Sequence, residues 1–257
     1  MNNKLKYLLG TLVSLPLLPF LYVQGKSIRE KVPKLPEAKE PKGFVNGNFD
    51  TTINILSIGE STIAGVGVDF HKNGFTGAVV NTLSTELKKN VNWRVYAKSG
   101  YTVAKICEKI IPKIEETTTD IIVVGMGAND AFTLNSPKKW GSDLEELITL
   151  LQNKFPGTPL FFTSMPPIKE FPAFTKLIKF VIGNLVEILG ERLQAITKNK
   201  KNVFYNNEVI SLEKWSKKHT LPNNNSKIYF SDGVHPSELT YNIWGKEMAL
   251  FITSKIR

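Results

Sequence analysis

The chain reads Ile-Asn-Ile-Leu-Ser-Ile-Gly-Glu-Ser at residues 53–61, where an apolar run ends in a glycine, a carboxylate and a serine. A short apolar run closed by glycine is typical of a buried strand. Comparable runs recur, and the predicted strands are 53–58, 93–97, 121–126, 159–163 and 203–205. Helix-like segments alternate with them at 74–89, 102–114, 137–154, 174–198 and 236–255. The alternation predicts an α/β fold, a three-layer α/β/α sandwich around a mainly parallel, five-stranded, flavodoxin-like sheet.

The run Ser-Asp-Gly-Val-His-Pro at residues 231–236 holds a candidate base for the serine at position 61. A serine hydroxyl is a weak nucleophile, so it needs a base to take its proton and a third group to orient that base. His235 can be the base, and Asp232, in a glycine-containing turn, can be the orienting acid. Pro236 suits a first helical position, so we expect the closing helix to hold His235 at its start. With Ser61, these residues indicate a hydrolase.

Acyl transfer also needs hydrogen-bond donors aimed at the oxygen that becomes negative in the tetrahedral intermediate. The chain offers three, the backbone N–H groups of Ser61 and Gly100 and the side-chain amide of Asn129. Each comes just past the end of a predicted strand, at the edge where open α/β sheets bind their ligands. We therefore expect these three groups to form an oxyanion hole.

Four blocks of the sequence follow one another in a familiar order. They read Gly-Glu-Ser at 59–61, Gly100, Gly-Ala-Asn-Asp at 127–130 and Asp-Gly-Val-His at 232–235. Over most of the chain after residue 53, this order resembles the SGNH (GDSL-type) hydrolase family. The resemblance implies a serine esterase or lipase-like hydrolase of carboxylic esters, with Ser61, Asp232 and His235 as its catalytic residues. One departure is Glu60, where the family usually has Asp; the resemblance implies that this position is not the acid of the triad.

The same residues leave other functions open. A carbohydrate O-deacetylase or an acyltransferase would use the same nucleophile and base with a different ester or acceptor. A tethered binding protein that keeps the fold without turnover is an alternative of another class. Nucleotide binding is disfavoured, because Gly65 and Gly67 lack the third glycine of the dinucleotide fingerprint and the chain has no phosphate-binding Gly-x-x-x-x-Gly-Lys-Ser/Thr pattern.

Composition narrows the partners and cofactors. The 257 residues carry a formal net charge of +10, and the first 43, with eight basic and three acidic side chains, hold half of that excess. The remainder has no dense basic stripe, so no nucleic-acid partner is expected. Three histidines and one cysteine show no ligand spacing, so neither a metal nor another cofactor is expected. Cys107 is predicted to be a core residue, and His71 and His219 to be surface residues.

Residues 1–25 predict a signal peptide or an N-terminal membrane anchor. Lys4 and Lys6 precede an uncharged run of 16 residues over 8–23, the order of a signal sequence. As a helix this run spans about 24 Å, less than the roughly 30 Å of a hydrocarbon core, which favours a cleavable signal. The poor cleavage site that follows favours an uncleaved anchor equally, so both interpretations stay open.

Residues 26–50 are rich in Pro, Lys and Glu and predict an extended, poorly packed linker. The hydrolase domain is predicted over 51–257. With the leader, this organisation predicts an exported protein of the cell envelope, either membrane-anchored or secreted, with membrane contact through its N-terminal segment.

Apolar side chains are dense over residues 165–182, between the fourth predicted strand and the following helix. Phe171 and Phe174 lie in this stretch and are candidate substrate-binding residues, as an acyl-binding wall or a membrane-facing lid over Ser61. An equally good interpretation is that they complete the core or a dimer contact, since apolar stripes at helical spacing are usually core. The expected substrate is a small-molecule, lipid or carbohydrate ester.

Overall fold

The computed structural model describes residues 3–219, 221 and 226–256. The residues outside these ranges are Met1, Asn2, Thr220, 222–225 and Arg257. The outer ends of the predicted leader and of the predicted hydrolase domain therefore fall outside the described part of the chain.

The described residues form a six-stranded sheet in the order β1-β3-β2-β4-β5-β6. The strands are β1 Lys42–Val45, β2 Thr52–Gly59, β3 Asn90–Ala97, β4 Ile121–Gly125, β5 Leu160–Phe162 and β6 Val203–Tyr205. Strands β2 to β6 run parallel, and β1 pairs antiparallel with β3 at one edge. All five predicted strands are present, so the prediction of an α/β fold with a mainly parallel sheet is confirmed.

The predicted count of five strands is wrong, because β1 adds a sixth. This strand falls inside the predicted linker and pairs Gly43 with Trp93 of β3. A Cβ at Gly43 would lie 2.4 Å from the Trp93 ring, so glycine lets the edge strand close over the indole. The strand escaped prediction because its residues alternate between exposed and half-buried positions instead of forming an apolar run.

Helices cover both faces of the sheet. They are α1 Asn3–Ser14, α2 Leu18–Lys31, α3 Phe75–Leu87, α4 Val103–Lys109, α5 Ala128–Phe132, α6 Pro137–Lys154, α7 Lys176–Thr197, α8 Leu212–His219 and α9 Glu238–Ile256. The side chains of α3 and α9 join one hydrophobic core, and those of α4, α6 and α7 join a second. Ile55 and Leu56 are neighbours on β2 yet belong to different cores, as the alternation of side chains along a strand requires. The three-layer prediction is therefore confirmed.

The closing helix begins at Glu238, not at Pro236 as expected. Pro236 instead forms an isolated antiparallel bridge with Phe230. The Ser231 N–H donates to the His235 carbonyl at 2.8 Å, which closes the segment into a tight loop. His235 therefore lies in a hydrogen-bonded loop that precedes α9.

The N-terminal segment is helical from α1 through a 3₁₀ turn at Leu15–Leu17 into α2. Its stretch Leu5–Lys31 has 27 residues and contains an 18-residue window with a mean hydropathy of 1.5, enough by length and composition to cross a membrane. This helical stretch is longer than the uncharged run whose shortness favoured a cleavable signal. It lies against α7, where Lys6 Nζ is 2.6 Å from Glu191 Oε1.

The segment between α2 and β1 docks on the body of the protein. The Lys39 N–H donates to the Asp69 carbonyl at 2.8 Å, and the His71 N–H donates to the Lys39 carbonyl at 3.0 Å. Glu37 Oε1 accepts the Ser99 N–H at 2.7 Å. The structure thus differs from the poorly packed linker that the composition predicted. Proline keeps a chain extended, but the residues between prolines retain N–H groups that can pair.

Candidate active site

Ser61 lies just beyond the carboxyl end of β2, in a turn over residues 61–67. Strand β2 approaches β4 so closely there that a Cβ on Gly59 would lie 2.1 Å from the Gly125 carbonyl oxygen. The Glu60 N–H donates to the same oxygen at 3.0 Å and ties the turn to β4. Glycine at position 59 therefore allows the close approach that holds Ser61 half-buried at the sheet edge.

Asp232 and His235 form a hydrogen-bonded pair in the loop before α9. Asp232 Oδ2 and His235 Nδ1 are 2.7 Å apart. Asp232 Oδ1 accepts the backbone N–H groups of Val234 at 2.9 Å and of His235 at 2.7 Å. Burial opposes ionisation of Asp232, but the hydrogen bonds from His235 and Val234 outweigh it, and the pKa of this carboxyl lies below its ordinary value. An ionised carboxylate only accepts, so in the neutral imidazole Nδ1 of His235 carries the proton and Nε2 is the acceptor.

One cavity of about 130 Å³ brings the predicted residues together. It is lined by Ser61 after β2 and by His235 from the loop before α9, which are far apart in the sequence. It is also lined by Gly100 and Asn129, which follow β3 and β4. Asp232 joins this group through its hydrogen bond to His235. The carboxyl ends of three neighbouring parallel strands and the loop before α9 therefore meet at a single concave site.

The backbone N–H groups of Ser61 and Gly100 are available to a ligand. Within the described ranges of the chain, neither has a hydrogen-bond partner. Gly100 has a φ of +83°, a left-handed conformation that favours glycine. The N–H of the preceding Ser99 is held by Glu37, which fixes the turn from which Gly100 donates.

The side-chain amide of Asn129 already has two acceptors. Its Nδ2 donates to Glu60 Oε2 at 2.6 Å and to the Tyr101 carbonyl at 3.1 Å. A primary amide has two hydrogens, so both are used in this arrangement. An oxyanion role for Asn129 therefore requires its amide to exchange or share an acceptor, and Tyr101 holds it by the longer bond.

Glu60 connects the serine turn to the start of α5, a role that the sequence did not indicate. Its side chain is 1% exposed. Oε1 accepts the Ala128 N–H at 2.9 Å, and Oε2 accepts the Asn129 N–H at 3.0 Å. Burial raises the pKa of Glu60 to about 7, against the hydrogen bonds from Asn129 and Ala128, and the nearby Asp130 raises it further. A carboxyl beside the candidate nucleophile thus changes charge near neutral pH.

This pKa predicts a pH dependence of stability. Folded Glu60 resists ionisation, so its contribution to the unfolding free energy is present below its ordinary pKa of 4.5 and is lost as the pH rises through about 7. The loss amounts to about 3 kcal/mol, at about 1.4 kcal/mol for each unit of pKa shift. We expect Glu60→Gln to remove this slope from urea unfolding free energies measured across that pH range.

Burial raises the pKa of Asp130 to about 6, so Asp130 contributes a slope of the same sign in the wild type and in Glu60→Gln. The difference between the slopes of these two proteins therefore reports Glu60. Glu146→Gln is the matched control, since Glu146 is exposed on α6 and its replacement should leave the slope unchanged. Equal slopes for the wild type and Glu60→Gln would contradict the prediction.

Other predicted positions have mixed outcomes. Cys107 is buried, as predicted, and burial raises the pKa of its thiol to about 12. The surface prediction for His71 is wrong, because this side chain is 4% exposed beneath the docked segment around Lys39, and burial lowers its pKa to about 4. His219 is half-buried, with Nε2 3.3 Å from Glu247 Oε1. Among the described residues, no group of three or more His, Cys, Asp or Glu could hold a metal ion.

The two candidate substrate-binding phenylalanines are neighbours. Phe171 lines the cavity of Ser61 and also belongs to the core beside α7. The rings of Phe171 and Phe174 have centroids 5.3 Å apart, and Phe174 borders a second, larger cavity. The core interpretation and the cavity-wall interpretation of Phe171 are therefore compatible with each other.

The family of the chain follows from the same stretch that builds the site. The model of the GDSL-like lipase/acylhydrolase family matches residues 57–243. The chain belongs to this family. The match runs from the strand before Ser61 to the second turn of α9, so it includes the five residues predicted to carry the reaction, Ser61, Gly100, Asn129, Asp232 and His235. As a member of this lipase/acylhydrolase family, the protein is in general terms an ester hydrolase. A comparison with curated protein sequences finds no match.

Several solved structures share the fold of this chain. A lipolytic protein of the G-D-S-L family from Veillonella parvula is 18% identical, with a TM-score of 0.59 over 80% of this chain and 100% of that one. The lipase/acylhydrolase from Enterococcus faecalis is 20% identical, with a TM-score of 0.53 over 80% and 97%. A family 3 carbohydrate esterase from Clostridium thermocellum is 17% identical, with a TM-score of 0.58 over 80% and 99%. At these identities the likeness shows the fold.

Proposed function

We propose that the protein is a serine esterase that cleaves carboxylic esters with Ser61 as nucleophile, His235 as base and Asp232 as the orienting acid. The observation that supports it most is the state of His235. Asp232 Oδ2 lies 2.7 Å from His235 Nδ1, and the ionised carboxylate keeps the proton of the neutral ring on that nitrogen, so Nε2 can accept. The same imidazole lines the cavity of Ser61. A base with the right tautomer beside a serine is what acyl transfer needs.

The reaction has two balanced halves. As Ser61 Oγ attacks the ester carbonyl carbon, His235 Nε2 takes the hydroxyl proton, and Asp232 stabilises the imidazolium. The tetrahedral intermediate collapses, the bond to the alkoxy oxygen breaks, and the departing alcohol takes the proton from His235. Water then attacks the acyl-serine, gives its proton to His235, and releases the carboxylic acid as Ser61 Oγ recovers that proton.

The N–H groups of Ser61 and Gly100 are the proposed donors to the oxyanion. Both border the cavity, and neither has another partner within the described residues. Asn129 is the proposed third donor, through exchange of its Tyr101 acceptor for the negatively charged oxygen, since hydrogen bonds to an ion are the stronger ones. The bond to Glu60 would stay in place and aim the amide.

We expect Asn129→Ala to lower kcat by about 10²–10³-fold, the usual loss for one oxyanion donor, with a smaller change in KM because the charge develops after binding. Steady-state hydrolysis of p-nitrophenyl acetate measures both constants. Asn73→Ala removes an amide that bonds Glu238 at the surface and should leave kcat unchanged. A folded Asn129→Ala protein with full kcat would remove Asn129 from the oxyanion hole.

Covalent labelling tests the proposed function directly. The full chain in detergent micelles is treated with a fluorophosphonate, which traps an activated serine, and the adduct is mapped by peptide mass spectrometry. We expect the adduct on Ser61 together with loss of p-nitrophenyl acetate hydrolysis. A protein that remains unlabelled, or that hydrolyses the ester after complete labelling, would exclude the mechanism. Unlabelled protein without any ester hydrolysis would favour the tethered binding protein.

We further propose that the N-terminal helix holds the enzyme at a membrane after export. Its length and mean hydropathy support this, as does an outer face on which Leu12 and Val23 are 69% and 66% exposed. The full chain is expected to sediment with membranes in high salt and to be released by detergent. Release by salt alone would contradict anchoring.

A further inference from the structure

A second cavity lies between the leader helix α2 and the body of the protein. Its volume is about 880 Å³. Leu21, Gly25 and Ile28 line it from α2, and Ile178 and Ile182 line it from α7. We call this cavity the α2–α7 groove. Aliphatic side chains on both walls make it suited to an apolar occupant.

The α2–α7 groove adjoins the cavity of Ser61. Phe132 and Val234 line both cavities. The ring of Phe132 meets that of Phe174, a groove residue, edge to face, with centroids 5.7 Å apart. Val234 stands next to His235 in the sequence and donates its N–H to Asp232. An occupant of the groove would therefore extend to the residues beside the candidate base.

The surroundings of the groove point to a lipid. Its outer wall is part of the helical stretch Leu5–Lys31, which is long and apolar enough to cross a membrane and which packs on α7. The groove therefore opens beside the lipid phase when the exposed outer face of that stretch lies in the membrane surface. The charged side chains that line it, Lys26, Arg29 and Glu30, are confined to the last two turns of α2. The groove thus has an apolar length and one polar end, the pattern of an acyl chain with its headgroup.

We propose that the α2–α7 groove binds the acyl chain of a membrane lipid ester while the ester carbonyl reaches Ser61, so that the leader helix is one wall of the substrate site. This inference rests on the proposed esterase function and names its substrate class. It also assigns the leader a second role. Cleavage after Gly25, at the weak signal site, would remove Leu21 and Gly25 from the wall, so the substrate site requires an uncleaved leader.

Two glycines of the leader give a matched pair of variants. Gly25 lines the groove, and a Cβ there meets nothing within 4 Å, so the backbone admits a side chain at this position. We expect the indole of Gly25→Trp to fill part of the groove. A Cβ at Gly10 also meets nothing within 4 Å, and Gly10 lines a neighbouring cavity of about 150 Å³ that shares Leu18 and Leu134 with the groove but not Phe132 or Val234, the residues beside Ser61. Gly10→Trp is therefore the control for a bulky side chain on the leader.

The experiment compares kcat/KM of the full chain in detergent micelles for p-nitrophenyl acetate, butyrate and octanoate. Each methylene that enters the groove should raise kcat/KM about fourfold, the equivalent of one buried CH₂ group. Gly25→Trp should lower the ratio of octanoate to acetate at least about tenfold and leave acetate within about twofold, because the short ester does not use the groove. Gly10→Trp should match the wild type with all three esters.

Binding separates a failure of this inference from a failure of the esterase function. Ser61→Ala should still bind cis-parinaric acid, a fluorescent fatty acid, and adding Gly25→Trp to it should weaken that binding at least about tenfold. Serine-dependent acetate hydrolysis with no gain for octanoate, or an equal loss in both glycine variants, would overturn the groove. Absence of hydrolysis with parinaric acid binding that Gly25→Trp weakens would overturn the esterase and retain the acyl groove. Absence of both would overturn both.

Discussion

Replacement of Ser61 by Ala should lower kcat/KM for p-nitrophenyl acetate by about 10⁴–10⁶-fold, to the level of catalysis by binding and oxyanion donors alone. The hydroxyl oxygen of Ser61 forms the bond to the acyl group in the acyl-enzyme. Its removal leaves His235 with only water to activate. The loss of one half-buried hydroxyl should change the unfolding free energy by less than about 1 kcal/mol. Hydrolysis rates and urea unfolding curves measured on the same samples test both parts.

Ser99→Ala is the matched control for this result. Ser99 lines the same cavity and undergoes the same change, but it is its backbone N–H, not its hydroxyl, that holds Glu37. We expect its activity to stay within about threefold of wild type. If Ser61→Ala keeps more than about a tenth of the wild-type rate, or if Ser99→Ala loses as much, Ser61 is not the nucleophile.

Replacement of Asp232 by Asn should lower kcat by about 10³–10⁴-fold with the fold intact. The asparagine oxygen can still accept the N–H groups of Val234 and His235, as Oδ1 does now. The new NH₂ group faces Nδ1 and donates to it, so the imidazole must adopt the tautomer in which Nδ1 is the acceptor. Nε2 then carries the proton and cannot take one from Ser61.

Asp69→Asn is the control for Asp232→Asn, since it removes an exposed carboxylate whose residue contributes only its backbone carbonyl to Lys39. Both variants are assayed at saturating p-nitrophenyl acetate, and their folding is compared by circular dichroism. A well-folded Asp232→Asn protein with wild-type kcat would mean that another group orients His235, or that His235 is not the base.

The alternating parallel part of the fold could be predicted because buried parallel strands are nearly continuous apolar runs. Strand β4, Ile121–Gly125, is buried at every residue, and its run stands out in the sequence for that reason. Strand β1 could not be found this way, because an edge strand with one solvated face has a weak apolar signal. The start of α9 was misplaced by two residues, since Pro236 fits a helix start and a β-bridge equally well.

The grouping of the candidate site's residues could be predicted where the proposed chemistry calls for a particular residue type. Ser61, His235 and Asn129 are of that kind, and the structure places them around one cavity. The role of Glu60 could not be predicted, because it depends on burial and on three N–H donors that only the folded chain brings together. His71 was misjudged for a similar reason, since the segment that buries it is remote in sequence.

The docked segment between α2 and β1 determines how far the enzyme can reach. Lys39 is paired with Asp69, and Glu37 is fixed to Ser99, so the chain between the leader and the sheet has no slack. A flexible tether would let a domain sample many heights and tilts above a bilayer. With the exposed outer face of the leader lying in the membrane and its inner face on α7, this domain instead stays at one height with one face toward the lipid. At that fixed height the active site would reach ester bonds near the bilayer surface. It would not reach ester bonds on distant polymers of the envelope.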